Sequence, residues 1–193
     1  PTRKARKALL RALVELAARR RTDVQDEIAV KATNYSHGKF YQDINIEVHK
    51  GEILGMYGLV GAGRTEFVRG LFGADPKDSG ELEIFGKKVD IKIPRDAIAA
   101  GIGLVTEDRR QEGLLLIQSI KWNISMTNFP AITGALGMLD MKKEKAYAEE
   151  GMTKFRVKAT GIEQTAGGLS GGNQQKVVLA KWVNADCQVL IVD

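Results

Sequence analysis

A glycine-rich segment at residues 58–65, GLVGAGRT, has the residue types and the spacing to hold a phosphate group. Gly58 and Gly63 are separated by four residues, which is the glycine spacing of a phosphate-binding loop, and Gly61 adds a third flexible point. Glycines let successive backbone N–H groups turn toward an anion, and a following helix contributes the positive end of its dipole. The segment therefore predicts a phosphate site, with a strand-to-helix turn that binds nothing as the alternative.

Two side chains at the end of this segment indicate what the loop could do. Thr65 stands at the Ser/Thr position of the pattern, where its hydroxyl would coordinate Mg²⁺. Arg64 follows Ala62 and Gly63 at the position where the pattern has lysine. Arginine stays charged and can grip a phosphate through two donors, but it is larger and planar. We therefore expect Arg64 to support phosphate binding, and to be less suited than lysine to positioning the transition state of hydrolysis.

Two further segments offer groups of the same kind. A serine and two glycines before a predicted helix present a hydroxyl and exposed amides to an anion, although a plain helix cap has the same sequence. An apolar run at 189–192 leads to Asp193, and a Mg²⁺-coordinating aspartate belongs after a buried strand near a phosphate loop. The serine-glycine segment consists of Leu169, Ser170, Gly171, Gly172, Asn173 and Gln174.

Strands and helices alternate along the chain, which predicts an α/β fold with mainly parallel central strands. Pro94 is expected to open a short helix that ends before Gly101. The predicted strands are 44–48, 52–57, a hairpin at 81–91, 102–106 and 188–192, and the predicted helices are 4–21, 94–100, 140–158 and 174–184.

The net charge of +5 is concentrated in one segment. Residues 1–21 carry eight basic residues and one acidic residue, a net +7, and the remaining residues carry 21 basic and 23 acidic residues, a net −2. We interpret residues 1–26 as a basic amphipathic helix or linker, with contact to a membrane surface or a nucleic acid as alternatives. The sequence contains no apolar run long enough to span a membrane, and its single cysteine, Cys187, excludes an internal disulfide.

Taken together, the three segments resemble the nucleotide-binding domain of ABC transporters. Residues 58–65 match its Walker A motif, 169–174 its signature and 189–193 its Walker B motif. The resemblance covers residues 27–193. It implies an α/β P-loop NTPase fold with an antiparallel β subdomain and a helical, signature-bearing subdomain at roughly 119–168. ATP and Mg²⁺ are the implied cofactors, and the residues matching the family's metal ligands are Thr65 and Asp193.

A narrower resemblance is to bacterial monosaccharide importers, which have two tandem ATPase domains. The chain resembles the second of these domains, in which the Walker A motif carries arginine. This resemblance rests on GLVGAGRTE, on residues 94–113 and on LSGGNQQKVVLAKW. Glu107 takes the place of the family's Q-loop glutamine. The family's aromatic residue that stacks on adenine corresponds to Tyr35, with Phe40 as the rival position.

The resemblance implies two ATPase domains that close head to tail on two ATP molecules. Its catalytic residues correspond to Arg64, Glu107, Ser170 and Asp193, with Ser170 facing the γ-phosphate held by the partner domain. The implied partners are a second ABC ATPase domain, transmembrane permease subunits and, indirectly, an external sugar-binding protein, with no nucleic acid. The implied location is peripheral, at the cytoplasmic face of the cell membrane.

Three alternatives remain at this point: a degenerate partner domain that binds ATP without hydrolysing it, a nucleoside importer, and a soluble ABC protein that acts on nucleic acid through residues 1–21. The family's general base is a glutamate directly after the Walker B aspartate, and its last strands come later still. We therefore expect the 193-residue chain by itself to hydrolyse ATP negligibly.

Overall fold

The structure, a computed structural model, describes residues 24–134 and 137–193. They form two compact units that divide between Ile102 and Gly103. The predicted helix at 4–21 lies outside the described residues, and the predicted domain border after residue 26 stays a prediction.

The first unit consists of a four-stranded antiparallel sheet and two helices. The strands lie in the order β2–β1–β3–β4, and Ala32 at the centre of β1 faces Ile46 on one side and Leu82 on the other. The predicted strand at 44–48 and the predicted hairpin are confirmed. The elements are β1 (Ile28–His37), β2 (Tyr41–His49), α1 (Arg64–Phe72), β3 (Ser79–Ile84), β4 (Lys87–Val89) and α2 (Pro94–Ala99).

Local sequence explains where the two helices begin and end. Helix α1 starts after Gly63 and stops at Gly73, whose φ of 73° reverses the chain direction. Helix α2 starts at Pro94, whose fixed φ suits a first helical position. The side chain of Asp96 accepts hydrogen bonds from the two backbone N–H groups before Pro94, at 3.0 and 3.2 Å.

The segment 52–57, predicted as a strand, is not one. Among the described residues of the first unit, the sheet ends at β2 and β4, and no strand pairs with 52–57. Its backbone therefore lacks the ladder partners that define a strand. Its apolar side chains, Tyr57 among them, are exposed. The prediction was wrong because an apolar run gives only the propensity, and a strand also needs a neighbour.

The second unit is mostly helical. Its helices α3, α5 and α6 pack against one another, α4 packs on α5, and β5 pairs with β6. The predicted helices 140–158 and 174–184 and the predicted strands 102–106 and 188–192 are confirmed, with ends that differ by a few residues. The elements are β5 (Ile102–Val105), the π-helical turn Arg109–Gly113, α3 (Ile120–Ser125), α4 (Phe129–Ile132), α5 (Met141–Lys154), the 3-10 turn Ala166–Gly168, α6 (Gly171–Asn184) and β6 (Val189–Val192).

Two consequences follow for the predicted organisation. Helix α6 packs on both α3 and α5, and the helical subdomain at roughly 119–168 stays a prediction. Within the described ranges, no helix has the length and apolar character needed to cross a membrane.

Candidate functional site

The glycine-rich loop leads directly into the N-terminus of α1. Gly63, the last residue before the helix, has a φ of 77°, in the left-handed region. A Cβ atom on Gly63 would lie 2.1 Å from the carbonyl oxygen of Phe40, so only glycine fits. Gly61 also has a positive φ, 81°, but open space surrounds it. Glycine is therefore required at position 63, because a side chain there would clash with the backbone of Phe40. At position 61 only the left-handed backbone conformation favours glycine.

The N-cap residue of α1 is Gly63, which has no side chain with which to cap the helix. The first hydrogen bond of the helix runs from Phe67 N to Gly63 O at 2.9 Å, and the N–H groups of the first turn have no acceptor within the helix. Such a helix end carries positive partial charge and binds anions. Before it, Ala62 N donates to Leu59 O at 3.1 Å and turns the loop back on itself. The geometry suits a phosphate group.

Arg64 bends back across the loop. Its Cδ and Nε atoms both lie 3.7 Å from the position that a Cβ on Gly58 would occupy, and the residue is exposed. The guanidinium group thus adds positive charge near the first glycine of the loop. Thr65 follows in the first turn of α1 and is half-buried.

Tyr35, the residue expected to stack on adenine, is 0% exposed. Its ring stacks on Tyr41 with centroids 6.2 Å apart and meets Phe67 edge to face at 6.0 Å. Lys77 Nζ lies 5.4 Å from the ring centroid, and the hydroxyl donates to Gly70 O at 3.1 Å. Burial raises the pKa of Tyr35 above its ordinary value. Protein atoms surround the ring in this structure, and its stacking on adenine stays a prediction.

Phe40, the rival aromatic residue, is 47% exposed. Its carbonyl oxygen faces Gly63, and its ring stacks on His37 with centroids 5.6 Å apart. Asp78 holds this turn: its carboxylate accepts a hydrogen bond from Gly38 N, and Oδ1 lies 3.6 Å from His37 Nδ1. Phe40 therefore presents an exposed ring from a residue whose backbone touches the phosphate loop.

The signature residues form the start of α6. Ser170 occupies the N-cap position but does not cap the helix with its hydroxyl, which accepts a hydrogen bond from Asn173 Nδ2 at 3.1 Å. Ser170 and Gly172 are exposed, and Gly171 and Asn173 are half-buried. Helix α6 thus presents a second N-terminus without a side-chain cap, next to an exposed hydroxyl. This arrangement also suits an anion.

The two ends of the signature are buried. Leu169 lies in the interior, and Gln174 is 0% exposed. Gln174 Nε2 donates to Ala166 O at 3.1 Å, and its Oε1 accepts from Arg109 Nε at 3.4 Å. The contact of Leu169 and Gln174 with a nucleotide stays a prediction. In this structure both side chains lie in the interior, and the bonds of Gln174 connect the start of α6 to its neighbours.

Two carboxylates follow the paired strands of the second unit. Asp193 comes directly after β6, and its N–H donates to the carbonyl of Val105, the last residue of β5, at 2.9 Å. Glu107 lies two residues beyond Val105, so both acidic residues leave the strand pair at the same end. Both are exposed. A carboxylate oxygen is a ligand that Mg²⁺ prefers, which fits the metal role predicted for Asp193.

Two basic residues of the second unit were missed from the sequence. Arg109 contacts Gln174, and its Nη2 lies 2.7 Å from the position of a Cβ on Gly171. Lys181 is buried, and its Nζ donates to Gly113 O at 2.8 Å. A single lysine inside the apolar run VVLAKWV was the available signal for Lys181, whereas nothing local distinguishes Arg109 from its neighbours.

Comparison with known sequences identifies relatives over most of the chain. The model of the ABC transporter family matches residues 41–193. A putative ribose/galactose/methyl galactoside import ATP-binding protein 1 of Rhizobium meliloti (strain 1021) is 45% identical over 170 residues, covering 88% of this chain and 34% of that protein. Ribose import ATP-binding protein RbsA of Bacillus subtilis (strain 168) is 41% identical over 188 residues, covering 97% and 38%. The chain thus spans about a third of the length of these relatives.

Comparison with solved structures confirms the predicted α/β P-loop NTPase fold. The ATP-binding cassette MJ0796, a dimer in a post-hydrolysis state bound to ADP and Pi, has a TM-score of 0.68 at 19% identity, covering 85% of this chain and 73% of that chain. The protein cbiO1 from Clostridium perfringens, part of the ABC transporter complex cbiONQ, has a TM-score of 0.66 at 16% identity, covering 87% and 66%.

Proposed function

The chain belongs to the ABC transporter family, and from this premise we propose that it is the ATP-binding part of a monosaccharide importer. Relatives named as ribose import ATP-binding proteins are 41–48% identical to it, which supports a sugar as the transported substrate. The observation that carries ATP binding is the N-terminus of α1, which follows the glycine-rich loop directly and has Gly63, a residue without a side chain, as its N-cap.

In the first unit, the loop at 58–65 would hold the phosphates of ATP. Backbone N–H groups bind the phosphate oxygens, Arg64 adds positive charge, and the exposed ring of Phe40 offers a stacking surface for adenine. When bound, Mg²⁺ neutralises charge on the phosphate oxygens. Thr65 in the first unit offers a hydroxyl oxygen, and Asp193 in the second unit offers a carboxylate oxygen. Each would be an oxygen ligand of the kind that Mg²⁺ prefers.

In the second unit, the signature would act on the nucleotide of a partner ATPase domain. Ser170 and Gly172 are exposed at the start of α6, which supports contact with a γ-phosphate from outside the chain. The two ATPase domains would close on ATP but not on ADP. This difference would then drive the permease between two states. Glu107, exposed beyond the end of β5, would respond to the metal-bound nucleotide from the Q-loop position.

A group of exposed apolar side chains supports docking on permease subunits. Phe129 at the start of α4 and Met138, Leu139 and Met141 around the start of α5 are all exposed. The bridge between Thr133 and Leu139 and the packing of α4 on α5 bring these positions into one region of the second unit. Exposed apolar patches mark contact surfaces. The protein would work at the cytoplasmic face of the cell membrane, and an external sugar-binding protein would act on it only through the permease.

A degenerate partner domain that binds ATP without hydrolysing it is the second candidate. One observation favours it: Arg64 occupies the lysine position, and its Cδ and Nε atoms lie close to Gly58, the first glycine of the loop. In that case the signature would still serve the intact site of the partner. A nucleoside importer differs only in what the permease admits, and nucleic-acid binding would use residues 1–21, which lie outside the described residues.

Uptake and nucleotide binding by the complete transporter in vesicles test the proposal. Ser170→Arg places a bulky cation where the partner's γ-phosphate would lie, and we expect it to abolish ribose uptake. Arg64→Ala removes one charge from the chain's own loop, and we expect a loss of about 10-fold in uptake and a weaker ATP affinity. Equal losses would mean that this domain's own site is the hydrolytic one. Absence of ATP binding by the unmodified transporter at the loop 58–65 would overturn the proposal.

A further inference from the structure

A lysine is buried in helix α6 without a carboxylate. Lys181 is 5% exposed, and none of the described Asp or Glu side chains contributes to the shift of its pKa, which burial alone causes. Its Nζ donates to Gly113 O at 2.8 Å and lies 4.8 Å from the centroid of the Trp182 ring. Burial lowers the pKa of Lys181 to about 8. Burying a cation against one carbonyl is costly, and an apolar side chain of similar length would fill the same space at a lower cost.

The carbonyl that Lys181 binds belongs to the loop 106–113, which contains Glu107. Gly113 closes the π-helical turn at the end of that loop and is buried. A Cβ on Gly113 would lie 3.4 Å from both Val178 Cγ2 of α6 and Thr106 Oγ1 of the loop. The loop therefore lies close against α6 at this point.

A second contact holds the same loop to the same helix. Arg109 Nε donates to Gln174 Oε1 at 3.4 Å, and Gln174 Nε2 is bonded to Ala166 O. Gln174 and Lys181 are seven residues apart, which is about two turns or roughly 10 Å along a helix. The loop is thus attached to α6 at two separated points, and Ser170 stands at the N-cap of that helix.

We propose that Lys181 is a positioning residue: its bond to Gly113 O, together with the Arg109–Gln174 contact, holds the loop 106–113 to α6 so that the loop and Ser170 move as one body. Resting on the proposed function, this gives the Q-loop position at Glu107 a mechanical connection to the signature. A displacement of the loop by a permease or a nucleotide then displaces the start of α6, because two attachments prevent the loop from sliding along the helix or pivoting about one contact.

Three variants of the complete protein test this role. Lys181→Met keeps the length of the side chain and removes the donor, and Lys181→Arg restores a donor. Lys176→Met is the matched control, because Lys176 lies on the same helix and also donates to a backbone carbonyl, that of Arg156, at 2.8 Å. The readouts are amide hydrogen exchange in residues 109–113 and in α6, ATP affinity, and ATP-driven sugar uptake.

We expect Lys181→Met to raise exchange in residues 109–113 by about 10-fold while α6 stays protected, since local opening is independent of global unfolding. ATP affinity should be unchanged and uptake should fall by about 10-fold. Lys181→Arg should recover both, and Lys176→Met should change neither. Unchanged exchange in Lys181→Met, or a loss of protection throughout the second unit that arginine does not rescue, would overturn the positioning role. If the unmodified protein fails to bind ATP, the proposed function fails while the exchange result still decides the role of Lys181.

Discussion

Helices α1 and α6 begin in the same way but are held in place differently. Each follows a glycine-rich segment, and neither N-cap residue, Gly63 or Ser170, caps the helix with a side chain. Around α1, the fit is between main-chain atoms, with Gly63 against the carbonyl of Phe40. Around α6, the buried side chains of Gln174 and Lys181 bind main-chain carbonyls. An anion-binding helix end can therefore be positioned by close backbone packing, which requires glycine, or by buried polar side chains.

The largest effect is expected where the backbone fit of α1 is broken. Gly63→Ala puts a Cβ against a carbonyl oxygen and forces alanine into the left-handed region, so we expect the free energy of unfolding to fall by roughly 2–5 kcal/mol. Chemical denaturation followed by circular dichroism measures it. Gly61→Ala is the matched control, since it has the same kind of φ in open space, and it should cost about 1 kcal/mol. Similar losses in both variants would show that the contact with Phe40 does not hold α1.

The next largest effect is the pH dependence of stability that the buried Lys181 of α6 should cause. The pKa of Lys181 is lowered from 10.5 to about 8 in the folded protein, so below pH 8 both the folded and the unfolded states are protonated and the full cost of burial applies. Above pH 8 the unfolded chain binds more protons than the folded one, and stability therefore rises. Between pH 7.5 and 9.5 we expect the unfolding free energy attributable to Lys181 to increase by roughly 2 kcal/mol.

The control for this prediction is Lys181→Met, which removes the titrating group and should remove that rise. The measurement is the difference between the two proteins in denaturant midpoint at each pH, so that groups common to both, such as Cys187, cancel. If the denaturant midpoints of the two proteins change with pH in parallel, Lys181 keeps an ordinary pKa and its burial carries no such cost.

The smallest effect separates the two aromatic residues near the phosphate loop. Phe40→Ala removes the exposed ring, and we expect ATP affinity to fall by about 5- to 10-fold, the equivalent of roughly 1 kcal/mol of stacking. Tyr35→Phe removes only the hydroxyl that binds Gly70, so it should lower stability by about 1 kcal/mol and leave affinity unchanged. Titration calorimetry with ATP measures both. Unchanged affinity in Phe40→Ala would contradict the assignment of adenine stacking to Phe40.

The motifs and most elements could be predicted from the sequence, because both depend on residues that are close together in the chain. The turn glycines, Pro94 and the apolar run before Asp193 each indicate their local structure directly. Prediction failed for 52–57, whose apolar run lacks a pairing strand among the described residues. The sequence also gave no sign that the sheet and α1 would cover Tyr35. Prediction also missed Lys181, because a lysine in an apolar run does not reveal the carbonyl it will reach.

The sequence by itself determined the phosphate loop, the signature and the acidic strand end, and through them the family, since these motifs consist of neighbouring residues. Only the tertiary structure decided which residues of those motifs are accessible and what holds them. Tyr35 binds Gly70 across 35 positions and Lys181 binds Gly113 across 68, so both contacts arise only when distant segments pack together. Burial is a property of that packing, and it removes Tyr35, Leu169 and Gln174 from the accessible surface while it leaves Phe40 and Ser170 exposed.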